Sequence, residues 1–171
     1  MQRRAFLAFA VPSASLGLIS LSGCGFALRK APNFAFTSLY SGLPESSPLG
    51  VELKRSLEST GKVKVITDAR QIAEAQVILD VLLDQREKVV LSLNATGQVR
   101  EFQLRLRFRF RLRTLAGKEL IPASEIALQR DISFNESAVL AKEAEEALLY
   151  RDMQSDVVQQ VMRRLAAVKE L

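Results

Sequence analysis

The chain has 171 residues, 24 Lys and Arg against 19 Asp and Glu, a formal charge of +5, no His and one Cys. That length suits a single domain with a substantial core. The absence of His and the single Cys exclude a His-based catalytic triad, a His-ligated metal and an internal disulfide, and no cofactor is expected.

Met1-Gln2-Arg3-Arg4 is a short positive segment, followed by an apolar run over residues 5–21 and then Leu21-Ser22-Gly23-Cys24. This is the layout of an export signal, too short for a membrane span. Its ending matches the bacterial lipobox, in which the cysteine is lipidated and becomes the first residue of the mature protein. Acyl chains on Cys24 then anchor a domain to a membrane, each buried methylene contributing ~0.8 kcal/mol. Gly25 follows, where Asp is the usual inner-membrane retention signal; lipoprotein sorting rules therefore point to the outer membrane, periplasmic side. Arg3-Arg4 also fits a twin-arginine signal, so the export route stays open. The expected organisation is a signal peptide over residues 1–23, a lipidated Cys and tether over 24–33, and one α+β domain over 34–171. Without residues 1–23 the charge falls to +3, so any strong cationic feature in the remainder is local.

Residues 34–40 are aromatic-rich and suit a first strand. Residues 41–48 carry loop chemistry, and a helix begins near Ser47 with Pro48 in its first turn. Leu49, Leu53 and Leu57 form its apolar stripe, and Gly61 ends it. Residues 62–67 are a short strand and 68–74 a polar turn. From Gln76 to Leu93 the chain is extended, with Val77, Leu79, Val81, Leu83, Val89, Leu91 and Leu93 assigned to one face. Residues 94–97 turn the chain back. Residues 124–134 form another strand, with Ile126, Leu128, Arg130 and Ile132 on one side. Residues 137–169 form a long helix whose core-facing stripe runs Leu140, Ala144, Ala147, Tyr150, Met153, Val157, Val161, Leu165 and Val168.

The strand after the turn is the most distinctive feature. Phe102, Leu104, Leu106, Phe108, Phe110 and Leu112 alternate with Gln103, Arg105, Arg107, Arg109, Arg111 and Arg113. A period of two demands a β-strand with one apolar and one cationic face. Its arginines form a row roughly 27 Å long. For the apolar faces of the two hairpin strands to agree, the turn needs two residues, Thr96-Gly97, or four, 94–97. The commoner two-residue turn sets Leu91 opposite Phe102, Val89 opposite Leu104, Leu83 opposite Phe110 and Val81 opposite Leu112. It also pairs Asp84 with Arg109 and Asp80 with Arg113, and leaves Arg86, Lys88, Arg105 and Arg107 as one patch without internal partners. On that basis Arg105 and Arg107 outrank Arg109 and Arg113.

That patch is either a solvated sheet face or an anion-binding surface, since clustered arginines suit multivalent phosphate contacts. Nucleic acid is the usual polyanion, but it is not an expected partner of an exported lipoprotein. Phosphorylated lipid is the available anion.

Several stretches resemble the LPS-assembly lipoprotein family, LptE. They are Cys24-Gly25-Phe26-Ala27-Leu28-Arg29; the run from Gly97 through Gln98, Val99, Arg100, Glu101, Phe102 and Gln103 to Leu104; Leu140-Ala141-Lys142-Glu143; and Tyr150-Arg151-Asp152-Met153 followed by residues 159–165. The resemblance covers nearly the whole chain. It implies a small mixed or antiparallel sheet of four to five strands with two helices packed on one face. It also implies a non-enzymatic plug inside the LptD outer-membrane β-barrel, which helps assemble that barrel, binds lipopolysaccharide and aids its insertion into the outer leaflet. The family's lysine at the start of the last helix is matched by Lys142. A basic residue before the hairpin turn is replaced by Ala95, and a His near the lipidation site in some relatives by Ala27. Arg100, Arg105 and Arg107 are the expected substitutes for the missing charge, with Arg86 and Lys88 beside them.

The alternative is a free-standing periplasmic lipoprotein that binds an anionic lipid or glycan. An enzyme is not expected. The serines at 22, 41, 46 and 47 lie in signal or loop, and Glu143, Glu145 and Glu146 look like a solvated helix face.

Overall fold

Two periodicities, near 3.6 over the helices and 2 over the strands, separate the chain into its elements. The structure is a computed structural model and describes residues 32–171; the expected signal peptide, Cys24 and most of the tether lie outside the described residues. In chain order come β1 (Ser38–Ser41), α1 (Pro48–Glu58), β2 (Lys64–Ile66), a 3-10 turn (Ala69–Glu74), β3 (Val77–Leu93), β4 (Val99–Thr114), β5 (Glu119–Ser133), a second 3-10 turn (Glu136–Ala138) and α2 (Val139–Ala167). The sheet order is β2-β1-β3-β4-β5. Strand β1 runs parallel to β2 and β3, whereas β3, β4 and β5 form an antiparallel meander. This is the expected α+β architecture with a mixed five-stranded sheet.

The start of α1 follows its sequence signals. The Ser47 hydroxyl accepts a hydrogen bond from the Gly50 N–H, Pro48 occupies the first turn, and Leu49, Leu53 and Leu57 are buried. Together with Met153, Val157, Val161 and Leu165 of α2 they cover the apolar row Leu104, Leu106, Phe108, Phe110 and Leu112 of β4. Both helices therefore pack on one face of the sheet, in one core.

The stripe expected along α2 stops short. Met153, Val157, Val158, Val161 and Leu165 are buried, but Leu140 is 82% exposed and Ala144 and Ala147 are also exposed. The reason lies opposite them. Opposite this part of α2, strand β3 presents Arg86 and Lys88 in place of apolar side chains.

That follows from a register different from the expected one. The turn is a three-residue loop, Ala95-Thr96-Gly97, closed by Asn94 N–H to Gln98 O at 2.8 Å and Gly97 N–H to Asn94 O at 3.0 Å. Gly97 takes φ +83°, the left-handed residue such loops require. The Asn94 side chain accepts from the N–H groups of Thr96 and Gln98, which favours this loop over a two- or four-residue one. The pairs become Val90 with Phe102, Lys88 with Leu104, Arg86 with Leu106 and Asp84 with Phe108. Further down, a bulge between Val81 and Leu83 shifts the phase, so that Val81 faces Phe110 and Leu79 faces Leu112. Strand β3 thus keeps Val77, Leu79 and Val81 on the helix side but turns Leu83, Gln85, Glu87 and Val89 to the opposite face.

Candidate functional site

Directly paired residues on adjacent strands point the same way, so the observed register sorts every charged residue of the hairpin onto one of two faces. Arg86 and Lys88 belong to the helix side. Arg105, Arg107, Arg109, Arg111 and Arg113 belong to the open side, with Glu87 and Gln85. The single patch of Arg86, Lys88, Arg105 and Arg107 expected from the two-residue turn does not form.

On the helix side, each cation is matched by α2. The Arg86 guanidinium donates to Gln154 Oε1 at 2.8 Å and lies 5.5 Å from the centre of the Tyr150 ring. Gln154 is buried, and its amide donates to Glu52 Oε2 at 2.7 Å and to Pro48 O at 3.2 Å on α1. Ser155 donates to the other Glu52 oxygen at 2.5 Å. Tyr150 donates its hydroxyl to Glu87 O at 2.7 Å, and burial, with the Glu146 charge beside it, pushes that phenol above its usual range. Lys88 pairs with Glu146 at 2.6 Å and sits 4.3 Å from the centre of the Phe102 ring. These contacts hold β3, α1 and α2 together. Gln154, Tyr150 and Glu146 were not singled out from the sequence for these contacts. The available signal was position: Gln154 stands three and four residues before Val157 and Val158, in line with the buried stripe of α2.

On the open side, acids take up part of the arginine row. Asp80 accepts from Arg111 and Arg113, both at 2.8 Å; the register sets it opposite Arg111 rather than the expected Arg113, which still reaches it from the neighbouring position. Burial pushes the Asp80 carboxyl up, but the hydrogen bonds and charges of Arg113 and Arg111 outweigh it and hold it below the usual carboxylate range. Arg107 donates to Glu125 of β5 at 2.8 Å; this bond lowers the Glu125 carboxyl and raises the guanidinium. The Asp84–Arg109 pair does not form, because Asp84 lies on the other face. Arg109 has no acid within ion-pair distance among the described residues. Arg105 donates to neutral Gln103 at 2.7 Å, whose amide donates to Asp131.

Lys142 and Arg100 lie elsewhere, at the pole formed by the hairpin turn and the start of α2. The Lys142 ammonium donates to Ser133 Oγ at 3.0 Å and to Glu145 at 2.9 Å. Arg100 is exposed at a strand irregularity, and its carbonyl accepts from the Phe134 N–H at 2.7 Å. Both residues are thus tied to the same Ser133-Phe134 junction. Around them Leu93 and Leu140 are exposed, 57% and 82%.

A family model described as LptE, lipopolysaccharide-assembly, matches residues 36–165. The chain belongs to this LptE family. It is 27% identical over 156 residues to the LPS-assembly lipoprotein LptE of Pectobacterium atrosepticum, covering 90% of this chain and 82% of that protein. Among solved structures, the solution structure of lipoprotein B from Nitrosomonas europaea shares 37% identity with a TM-score of 0.69, covering 84% of this chain and 91% of that one. The crystal structure of rare lipoprotein B from Shewanella oneidensis shares 25% identity with a TM-score of 0.60, covering 77% and 93%. LptE membership assigns the chain a role in lipopolysaccharide assembly as a lipoprotein of the Gram-negative envelope, associated with the lipopolysaccharide transport machinery.

Proposed function

We propose that this LptE-family chain is a non-enzymatic, outer-membrane lipoprotein that plugs and helps assemble an LptD-type β-barrel, and that it binds lipopolysaccharide directly. The observation that carries this reading is the match of nearly the whole α+β domain, residues 36–165, to the lipopolysaccharide-assembly family. Anchoring is through lipid on Cys24, on the periplasmic side. Copurification from gently solubilised membranes tests the plug. A stoichiometric complex with a large β-barrel supports it, and a partner-free domain favours a free-standing periplasmic binder of an anionic lipid or glycan. Metabolic labelling with palmitate tests the anchor; label retained by Cys24→Ala refutes it.

Lipopolysaccharide joins phosphates to acyl chains, so its binding surface needs cations beside exposed apolar groups. The pole around Ser133-Phe134 has both, in Lys142 and Arg100 next to Leu93 and Leu140. We assign the headgroup contacts to Lys142 and Arg100. Arg86 and Lys88 are already engaged by α2, and Arg105 and Arg107 stand on the open sheet face away from the helices.

A further inference from the structure

We propose that the free edge of β3, from Leu83 to Val90, is completed by an extended segment of the barrel protein that enters the lumen and adds to the sheet as a strand, apolar at both ends. The proposal rests on the plug reading above and adds where the partner grips this chain, and by what chemistry.

The edge itself is the first observation. Strand β1 pairs with β3 only from Val77 to Leu79, and the Gly42 N–H reaches Leu79 O just beyond. Past that point β3 has β4 on one side and no strand on the other among the described residues. Between the irregularities beside Leu82 and Leu91, Leu83 to Val90 form an unbroken ladder against β4. Eight residues span about 27 Å. Every second one turns its backbone N–H and C=O outward along this edge, in the row that β1 begins.

The second observation is that this edge is apolar at its ends and unguarded. Leu82, Val89, Val90 and Leu91 are 45%, 37%, 47% and 47% exposed. Its two cations, Arg86 and Lys88, are drawn to Gln154 and Glu146 of α2 and do not screen it. The opposite edge of the same sheet, β5, is protected in the ways that keep strands apart. Pro122 lacks an N–H, and side chains take up the carbonyls of Pro122, Glu125 and Gln129, from Ser124 at 2.8 Å, Arg164 at 3.4 Å and Arg130 at 2.9 Å. The large apolar side chains of β5 are all buried or half-buried. One edge is closed and the other is left open.

Backbone chemistry then selects the occupant. A row of outward N–H and C=O groups is satisfied along its length by another extended chain. Lipopolysaccharide has no such row. A second copy fits poorly, because a two-fold antiparallel pairing centred on Arg86, Glu87 or Lys88 sets that charge against its own image. The wall strands of a closed barrel already have a neighbour on each side, so the segment comes from a loop turned into the lumen. Its residues beside Leu82 and Val89 to Leu91 are apolar, and those beside Asp84 to Glu87 polar.

The test uses the full lipidated chain coexpressed with its barrel. A photocrosslinking amino acid is placed in turn at Val89, Val90 and Leu91. Consecutive positions should capture the same short barrel segment, because an added strand borders both faces of the sheet edge. Capture from alternate positions only would mean a face contact and overturns the proposal. Val90→Lys/Leu91→Lys should melt like the parent yet recover the barrel about tenfold less or worse, since edge lysines block strand addition. Ala127→Lys/Gln129→Lys, with the same charge change on β5, should recover it fully. If the β3 variant melts early, the crosslinking decides alone. Parental barrel recovery by that variant, or equal loss in the β5 control, overturns the proposal and leaves the plug reading standing. Crosslinks joining two copies overturn it in favour of a dimer, and crosslinks to lipopolysaccharide in favour of a glycolipid surface. No barrel with the parent chain removes both readings.

Discussion

Arg86 of β3 and Gln154 of α2 meet across the sheet–helix interface, guanidinium to side-chain carbonyl at 2.8 Å. The bond ties Arg86 to α2, on the opposite sheet face from the arginine row, although the residue itself stays exposed. Gln154 in turn reaches Glu52 and the Pro48 carbonyl, so a single polar chain ties β3 to both helices. Replacing Arg86 by Ala leaves a buried acceptor unpaired, which costs about 1–3 kcal/mol. Arg86→Ala should lower the midpoint of urea unfolding by that amount and leave lipopolysaccharide affinity of the folded protein unchanged. Undiminished stability with lost affinity would return Arg86 to the binding surface.

Gly97 holds φ +83° in the three-residue hairpin loop, and a side chain there meets no atom within 4 Å. The cost of substitution is therefore backbone strain alone. Gly97→Val should destabilise by roughly 1–2 kcal/mol, and Gly97→Asn by distinctly less. Thermal unfolding of the pair checks this. Equal losses for both substitutions would mean that the loop is not in this conformation.

Asp80 gives the open face a pH signature. Its carboxyl is held below the usual carboxylate range in the folded chain, against the opposing effect of burial, by Arg113 and Arg111. A depressed folded-state pKa stabilises above the unfolded value, near 4, and that stabilisation disappears as pH falls through the folded value. Asp80→Asn should therefore be less stable than the parent at neutral pH, with the gap narrowing progressively below pH about 4. Urea titrations at several pH values measure it; a gap independent of pH would refute the ion-pair account.

The two halves of α2 should respond in opposite ways. Leu165 is fully buried, so Leu165→Ala should cost about 2–5 kcal/mol. Leu140 is 82% exposed, and Leu140→Gln should change stability by no more than about 0.5 kcal/mol. If Leu140 belongs to the lipid-binding pole, that substitution weakens lipopolysaccharide binding without a shift in melting.

Lys142 donates to Ser133 and to Glu145 at the surface, contacts whose loss costs less than about 1 kcal/mol. Lys142→Ala/Arg100→Ala should therefore melt close to the parent yet bind lipopolysaccharide several-fold more weakly in a direct binding assay. Unchanged affinity would move the site off this pole.

Much of the architecture was legible from the residues alone. The Ser47 cap, Pro48 and the Leu49, Leu53, Leu57 stripe specified α1, because each acts within one turn of helix. The strict alternation from Phe102 to Arg113 specified β4 and its two faces, because side-chain direction along a single strand depends on nothing outside it. The arginine row as such follows from that local rule.

What only the tertiary structure decided is how β3 lies against β4. Strand β3 reads as one continuous apolar face, yet the bulge beside Leu82 and the odd-numbered loop at Ala95-Thr96-Gly97 place its outer half in the opposite phase. A one-residue change of register moves every side chain beyond it to the other face. Local pattern does not choose between the two phases. The choice comes from partners far along the chain: Gln154, Tyr150 and Glu146 engage Arg86 and Lys88, and Asn94 bonds the loop closed. The sequence therefore determined a cationic strand face, and packing against α2 determined which other cations share it.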